Sequence, residues 1–256
     1  RRAEGQSVRV SPSKVEQFGA CGLQWLLRAC GGDGLKSDSA TIGTLVHDVV
    51  ADLGDVDAPT LQVEIERRWP QLGLPPGWVD ARKRAEAAAM ATRLAGYFAS
   101  AEAATWKPVA AELKIVVQIG RATVTGKLDR LERHPSGAVR VLDYKTGSSK
   151  PTNQAIARHP QLGVYQAAVV EGGCGEFGVH SGGAALLHVG KAANKSVTLQ
   201  VQPALEADPD PRWAHELIAR TAEGMAGSRF AATPGTHCRN CPVKTSCPAQ
   251  SEGATL

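Results

Sequence analysis

Nothing in this 256-residue chain approaches the roughly 18 consecutive apolar residues of a membrane-spanning helix, so no membrane partner is expected. The charged, apolar and small-residue series of a secretory signal is missing too, so nothing directs the chain to an oxidising compartment and the expected location is cytoplasmic. It has no internal repeat and no extended low-complexity segment; the one dense alanine tract, 85–91, reads as ordinary helix. A dominant charge is also lacking, since a net charge of +4 is too small to argue for a nucleic-acid partner by itself. The first residue is Arg1 and not Met, which reads as a fragment of a longer polypeptide.

What is present is an aliphatic-rich composition, at a length that buries a substantial core without staples, and 1–256 reads as a single domain. Ser11 as N-cap and Pro12 in the first turn predict a helix over 12–29, stopped by Gly31 and Gly32. Leu45, Val46, Val49, Val50 and Leu53 recur at helical spacing around His47. A short helix near 61–69 and a long Ala-rich one over 79–105 complete a helical part of about 11–105. The pattern then turns to period two with β-branched residues. AELKIVVQI, ATVTGKLDRLERH and AVRVLDYK read as three strands, divided at Gly120 and at Pro135-Ser136-Gly137. A helix over 154–170, strands near 184–189 and 197–201, and a helix over 209–225 complete a core of about 106–230, followed from Ala231 by a Pro- and Cys-rich loop. This order predicts an α/β fold with a central mixed β-sheet flanked by helices.

In VLDYKTG, Asp143 and Lys145 lie two apart at the end of a predicted strand, so both side chains share a face. Asp129 ends the preceding strand, GKLDR, and a hairpin between the two sets it beside Asp143. Paired carboxylates repel unless a cation lies between them, and hard oxygen donors suit Mg²⁺ or Mn²⁺. Such an ion would polarise a phosphoryl oxygen and lower the pKa of bound water, with Lys145 stabilising the developing charge. A bare Asp-x-Lys is equally an ordinary salt bridge at a strand end. Between Arg121 and Lys150 seven bases face three acids, a local excess suited to holding a nucleic-acid backbone.

Cys238-x-x-Cys241 with Cys247 puts three thiols in one short loop, with no fourth nearby. A zinc ribbon would show two such knuckles. On spacing alone an iron-sulfur cluster, a zinc ion and a disulfide pair all stay open. Cys30 and Cys174 fall outside the pattern and are expected to be ordinary buried thiols.

Taken in order, Gly43-Thr44-Leu45-Val46-His47, GKLDR, VLDYKTG and HPQLGVYQ resemble the PD-(D/E)XK nuclease superfamily, and within it the RecB and AddB-type iron-sulfur branch. The resemblance runs from Ser11 to Cys247 and implies a restriction-endonuclease-like core. It assigns a metal site to His47, Asp129, Asp143 and the backbone carbonyl of Tyr144, with Lys145 catalytic. Gln161 and Tyr165, four apart on one helix face, would support that site or touch DNA. Glu112 matches a family position only loosely and is left outside the metal shell. For the thiols the resemblance implies a [4Fe-4S] cluster on Cys21, Cys238, Cys241 and Cys247, the loop 236–248 closing on Cys21 in FGACGLQWLL. That segment resembles the branch's C-P-L-x-F helix, with Gly22 in place of Pro. Such a closure is worth roughly 5 kcal/mol by the loop-entropy formula, a staple and not a reaction centre.

The implied function is a Mg²⁺- or Mn²⁺-dependent DNA exonuclease domain of a bacterial AddAB/AdnAB-type helicase-nuclease, acting in double-strand-break repair. Its DNA would be single-stranded ends fed by a helicase motor domain or partner subunit, since no Walker A loop occurs in this chain. The alternatives are a standalone RecB-like exonuclease and a catalytically silent iron-sulfur DNA-binding module.

Overall fold

The period-two segments pair into one six-stranded sheet in the computed structural model of the chain, which describes residues 5–32, 38–147, 149–190, 197–251 and 253. Its organising strand is β3 (Ala122–Arg133). One edge of β3 takes β2 (Lys107–Ile119) antiparallel along its full length. The other edge is shared: β1 (Val8–Val10) pairs in parallel with Ala122 to Val124, and β4 (Val139–Lys145) pairs antiparallel with Arg130 to Arg133. Beyond β4 follow β5 (Ser181–His188), parallel to it, and β6 (Thr198–Gln202), antiparallel to β5. On that shared edge, 125–129 is left between two partners, and the β3–β4 ladder stops at Arg130 opposite Leu142. Asp129 and Asp143 therefore stand on the two lips of a split in the sheet.

Both faces are covered. Helices α1 (Pro12–Ala20), α8 (Pro160–Val170) and α9 (Trp213–Ala226) pack on Val139, Val141, Ala184 and Leu186. On the other face α3 (Asp38–Leu53), α4 (Ala58–Arg68) and α5 (Trp78–Phe98) pack on Leu142, Tyr144, Ala185 and Leu187. A central strand covered on both faces need not alternate, and β4 is buried throughout from Val139 to Tyr144. The result is the α/β fold with a mixed sheet and a Cys-rich C-terminal loop that the sequence predicts. Among the described residues no helix is long and apolar enough to cross a membrane.

Several boundaries differ from expectation. The helix over 12–29 is broken at Cys21, whose extended backbone (φ −162°, ψ 111°) separates α1 from α2 (Gly22–Leu27). Cys21 caps both: its N–H donates to the Gln17 carbonyl, and its sulfur accepts from the Gln24 N–H at 3.4 Å. The helix over 154–170 is two, α7 (Asn153–Ile156) and α8, because Pro160 has no N–H and drives His159 out of helical geometry. The helix over 79–105 ends at Phe98, and Ser100 caps a new one, α6 (Ala101–Thr105). The last helix starts at Trp213, since Pro209 and Pro211 hold the preceding segment in turns. Strand β3 runs past Asp129 to Arg133, so Asp129 lies inside a strand and not at its end. Strand β1 was not expected; three residues are too few for a periodicity to show.

Candidate active site and thiol cluster

Helix α3 brings His47 onto the split, with Nδ1 3.4 Å from Asp129 Oδ1 and its ring edge-on to Tyr144 at 5.6 Å between centroids. Asp129 Oδ2 accepts the Tyr144 N–H at 2.8 Å, so a side chain takes over the ladder's role where the backbones part. On the other lip, Asp143 and Lys145 share a face as strand spacing predicts, with Lys145 Nζ 2.8 Å from Asp143 Oδ2. The first two turns of α8 bracket this pair. Asp143 Oδ1 accepts from Gln161 Nε2 at 2.8 Å and from the Tyr165 hydroxyl at 3.0 Å, while Lys145 Nζ donates to Gln161 Oε1 at 2.7 Å. The residues the resemblance nominates thus fall into two contacting groups, His47 with Asp129 and Asp143 with Lys145, Gln161 and Tyr165, joined through the Tyr144 N–H; Asp143 is not among the donors that lie within 4.8 Å of one another.

Burial raises the Asp143 carboxyl above its ordinary 3.8; Lys145 opposes the shift and the Asp129 charge adds to it. Burial pulls His47 down, but the hydrogen bond and charge of Asp129, with the charge of Asp143, together lift it above its ordinary 6.5. Burial and then Asp143 push the Tyr165 phenol far up, which keeps it a proton donor.

Glu112, left outside the metal shell on sequence, lies beside the candidate donors. One donor atom each from His47, Glu112 and Asp129 lies within 4.8 Å of the other two. The β2–β3 register, with Ala111 opposite Arg130 and Leu113 opposite Leu128, sets Glu112 across from Asp129. Its backbone is left-handed at φ 53°, a conformation that costs a non-glycine residue strain and turns the side chain out of the regular pleat. Glu112 Oε2 is buried, lacks a hydrogen-bond partner among the described residues, and pairs with the Lys127 ammonium. One imidazole nitrogen beside two carboxylates is a donor set suited to a divalent cation with hard ligands.

Only part of the basic stretch is exposed as expected: Lys127 and Lys150 are, while other members turn inward. Arg130 and Arg140 are 3% and 2% exposed, held by buried Glu132 beneath α5 (Trp78–Phe98), and Arg121 pairs with Glu223. A count along the chain cannot tell which side chains turn inward.

The sequence profile of the PD-(D/E)XK nuclease superfamily matches residues 9–248, nearly the whole chain and every residue of the split. The chain belongs to the PD-(D/E)XK nuclease superfamily. Members of this superfamily use divalent metals, which accords with the donors at His47, Glu112 and Asp129. Among solved structures, a provisionally assigned exonuclease from Eubacterium rectale superposes with a TM-score of 0.51 at 13% identity, over 90% of this chain and 86% of that one. The crystal structure of SSO0001 gives 0.47 at 13% identity, over 98% and 89%. At such identity the likeness is one of fold. No curated protein is significantly similar in sequence.

In this PD-(D/E)XK chain Cys21, Cys238, Cys241 and Cys247 line one apolar pocket, and all six cysteines are free thiols. Three sulfurs accept N–H bonds: Cys21 from Gln24 N at 3.4 Å, Cys241 from Gln24 Nε2 at 3.3 Å, and Cys238 from Gly235 N at 3.4 Å. Among the described residues no three of these sulfurs lie within 4.8 Å of one another. A tetrahedral zinc site has sulfur-to-sulfur edges of about 3.8 Å. Cys174 is buried, and burial pushes its thiol up to about 11. Cys30, expected to be buried, is exposed: the break at Cys21 turns the chain outward, and nothing in α2 or in the turn after it is fully buried.

Proposed function

We propose that residues 1–256 form one Mg²⁺- or Mn²⁺-dependent DNA nuclease domain of the RecB and AddB type. It acts as an exonuclease on single-stranded ends supplied by the helicase motor of a helicase-nuclease complex, in double-strand-break repair. The observation that carries this reading is the meeting of His47, Glu112 and Asp129 on one lip of the split with the Asp143–Lys145 pair on the other. His47, Glu112, Asp129 and Asp143, with the carbonyl of Tyr144, would hold the cation, which when bound supplies Lewis-acid polarisation of the phosphate and acidification of water. Lys145 keeps its ammonium beside the phosphate and offsets charge gathering on the equatorial oxygens. Gln161 and Tyr165 hold Oδ1 of the Asp143 carboxylate, and Lys145 pairs with Oδ2.

Digestion of end-labelled linear DNA with Mn²⁺ tests this. Wild type should degrade it, and Lys145→Ala should lose roughly a thousandfold in rate while still binding. Wild-type binding without hydrolysis would leave the silent DNA-holding module instead.

The four cysteines would hold a [4Fe-4S] cluster. Supporting this are a pure thiol donor set, three N–H···S bonds, and sulfurs set wider apart than a single zinc ion needs. Anaerobically purified protein should contain about four irons per chain and absorb broadly in the visible. One zinc and no iron would replace the cluster with a zinc site.

A further inference from the structure

A cleft of about 200 Å³ opens between the C-terminal end of α3 and the first residues of β2, and Asp129 forms part of its wall. It continues directly from the metal donors. Val50 of the cleft is one helical turn after His47, Ala111 of the cleft precedes Glu112, and Tyr144 stands between Asp143 and Lys145. The side chain of Ala111 faces the cleft because its register partner, Arg130, does. At this volume the cleft is smaller than the roughly 300 Å³ at which sites for whole small molecules begin, so it suits one part of a larger ligand.

Charge decides which part. Two carboxylates, Asp55 and Asp129, line the cleft. Its one cation, Arg130, is committed to both oxygens of Asp55 and to Glu132. A phosphate entering here would meet acids without a free base, whereas the apolar wall of Val50, Pro108 and Ala111 accepts an uncharged group. The bulge at Pro108–Ala110 in β2 shapes that wall, and the exposed lysines of the same strand, Lys107 and Lys114, remain outside it for flanking phosphates.

We propose that this cleft receives the nucleobase of one nucleotide adjoining the scissile phosphate. The proposal rests on the nuclease reading above and adds a base-binding subsite to it. The probes are single-stranded oligonucleotides carrying an abasic tetrahydrofuran residue on the 5′ or the 3′ side of the cut position, compared with the intact strand. Metal-free affinity and Mn²⁺-dependent cleavage are both measured. Wild type should prefer the intact strand by roughly tenfold when the gap is on one side, the effect of burying one base, and show no preference when it is on the other. A 2-aminopurine at the sensitive position should change its emission on binding.

Ala111→Trp, which fills the cleft at a surface position of β2, should bring the ratio between intact and abasic strands close to one, while Ala111→Ser should keep it. Being a ratio, this readout does not depend on how much of the variant folds. Equal affinity and equal cleavage of intact and abasic strands by wild type, with the gap on either side, overturns the proposal. Discrimination in binding with no cleavage of any DNA leaves the base subsite standing and removes the nuclease reading.

Discussion

Burial drives the Asp143 carboxyl above its ordinary 3.8 against the pull of Lys145. An acid whose folded pKa is raised adds stability that is complete below the unfolded value and lost as pH rises through the folded one. The ionised carboxylate is therefore a cost to the fold, kept where it serves the site. Asp143→Asn keeps an oxygen that accepts from Gln161 and Tyr165 but removes the charge. The expected outcome is a higher unfolding temperature at neutral pH together with cleavage lowered roughly a thousandfold; a lower unfolding temperature would count against this account. His47 gives a second pH signature. A proton and a cation compete for its ring, so Mn²⁺ affinity in calorimetric titration should weaken as pH falls through the raised His47 value, beginning above 6.5. His47→Gln should bind weakly with that slope gone, and an unchanged slope would remove His47 from the donors. At this scale much of the site is legible in the sequence, because Asp143 with Lys145 and Gln161 with Tyr165 share a face by local periodicity alone. Glu112 is not: it enters through cross-strand register and a left-handed backbone, neither of which leaves a mark in AELKI.

Between elements, the sheet is bolted to its helical cover through Glu132, which is fully buried. Its carboxylate accepts from Arg130 Nε at 2.8 Å, from Arg140 NH2 at 2.7 Å and from the Tyr97 hydroxyl of α5 at 3.1 Å. Arg130 reaches on to Asp55 after α3, and Arg140 to Glu102 of α6. Removing the acid strands two buried guanidinium groups. Glu132→Ala should therefore cost about 3–5 kcal/mol in denaturant unfolding, and Glu132→Gln less; a loss under 1 kcal/mol would mean that water reaches the pair. Packing between α8 and α9 is as tight. A Cβ on Gly163 would lie 2.2 Å from the Trp213 ring, so Gly163→Ala should destabilise by about 1–3 kcal/mol through overpacking. These bolts explain why the basic stretch misleads when read along the chain. In β3 and β4 both faces are covered, so charged residues at alternate positions point under α5 where a two-layer protein would turn them to solvent.

Across the whole molecule, the segments around Phe18 to Trp25 and Phe230 are closed on each other by an aromatic clasp, and the proposed cluster would close them a second time. Phe18 and Trp25 pack on Phe230, with ring centroids 6.5 and 5.7 Å away, and the Leu23 N–H donates to the Ala231 carbonyl at 3.0 Å. Only beyond that clasp does the tail bring Cys238, Cys241 and Cys247 to Cys21. A closure of this length taken alone is worth roughly 5 kcal/mol. Once the aromatic clasp has closed nearly the same loop, most of that entropy is already spent, and a cluster bound as proposed would close only the short segment after Ala231. Cys241→Ser should therefore lower global stability by far less than the full closure value, and should release hydrogen-exchange protection in 235–250 while Trp25 and Phe230 stay protected. Phe230→Ala alone should likewise be tolerated in part, because the proposed cluster would still hold the two segments. The double variant should lose more than the sum of the two, by an interaction of about 0.5–3 kcal/mol, since only then is the long loop open. Strict additivity would mean that the two closures are independent and that the thiols staple the whole chain unaided.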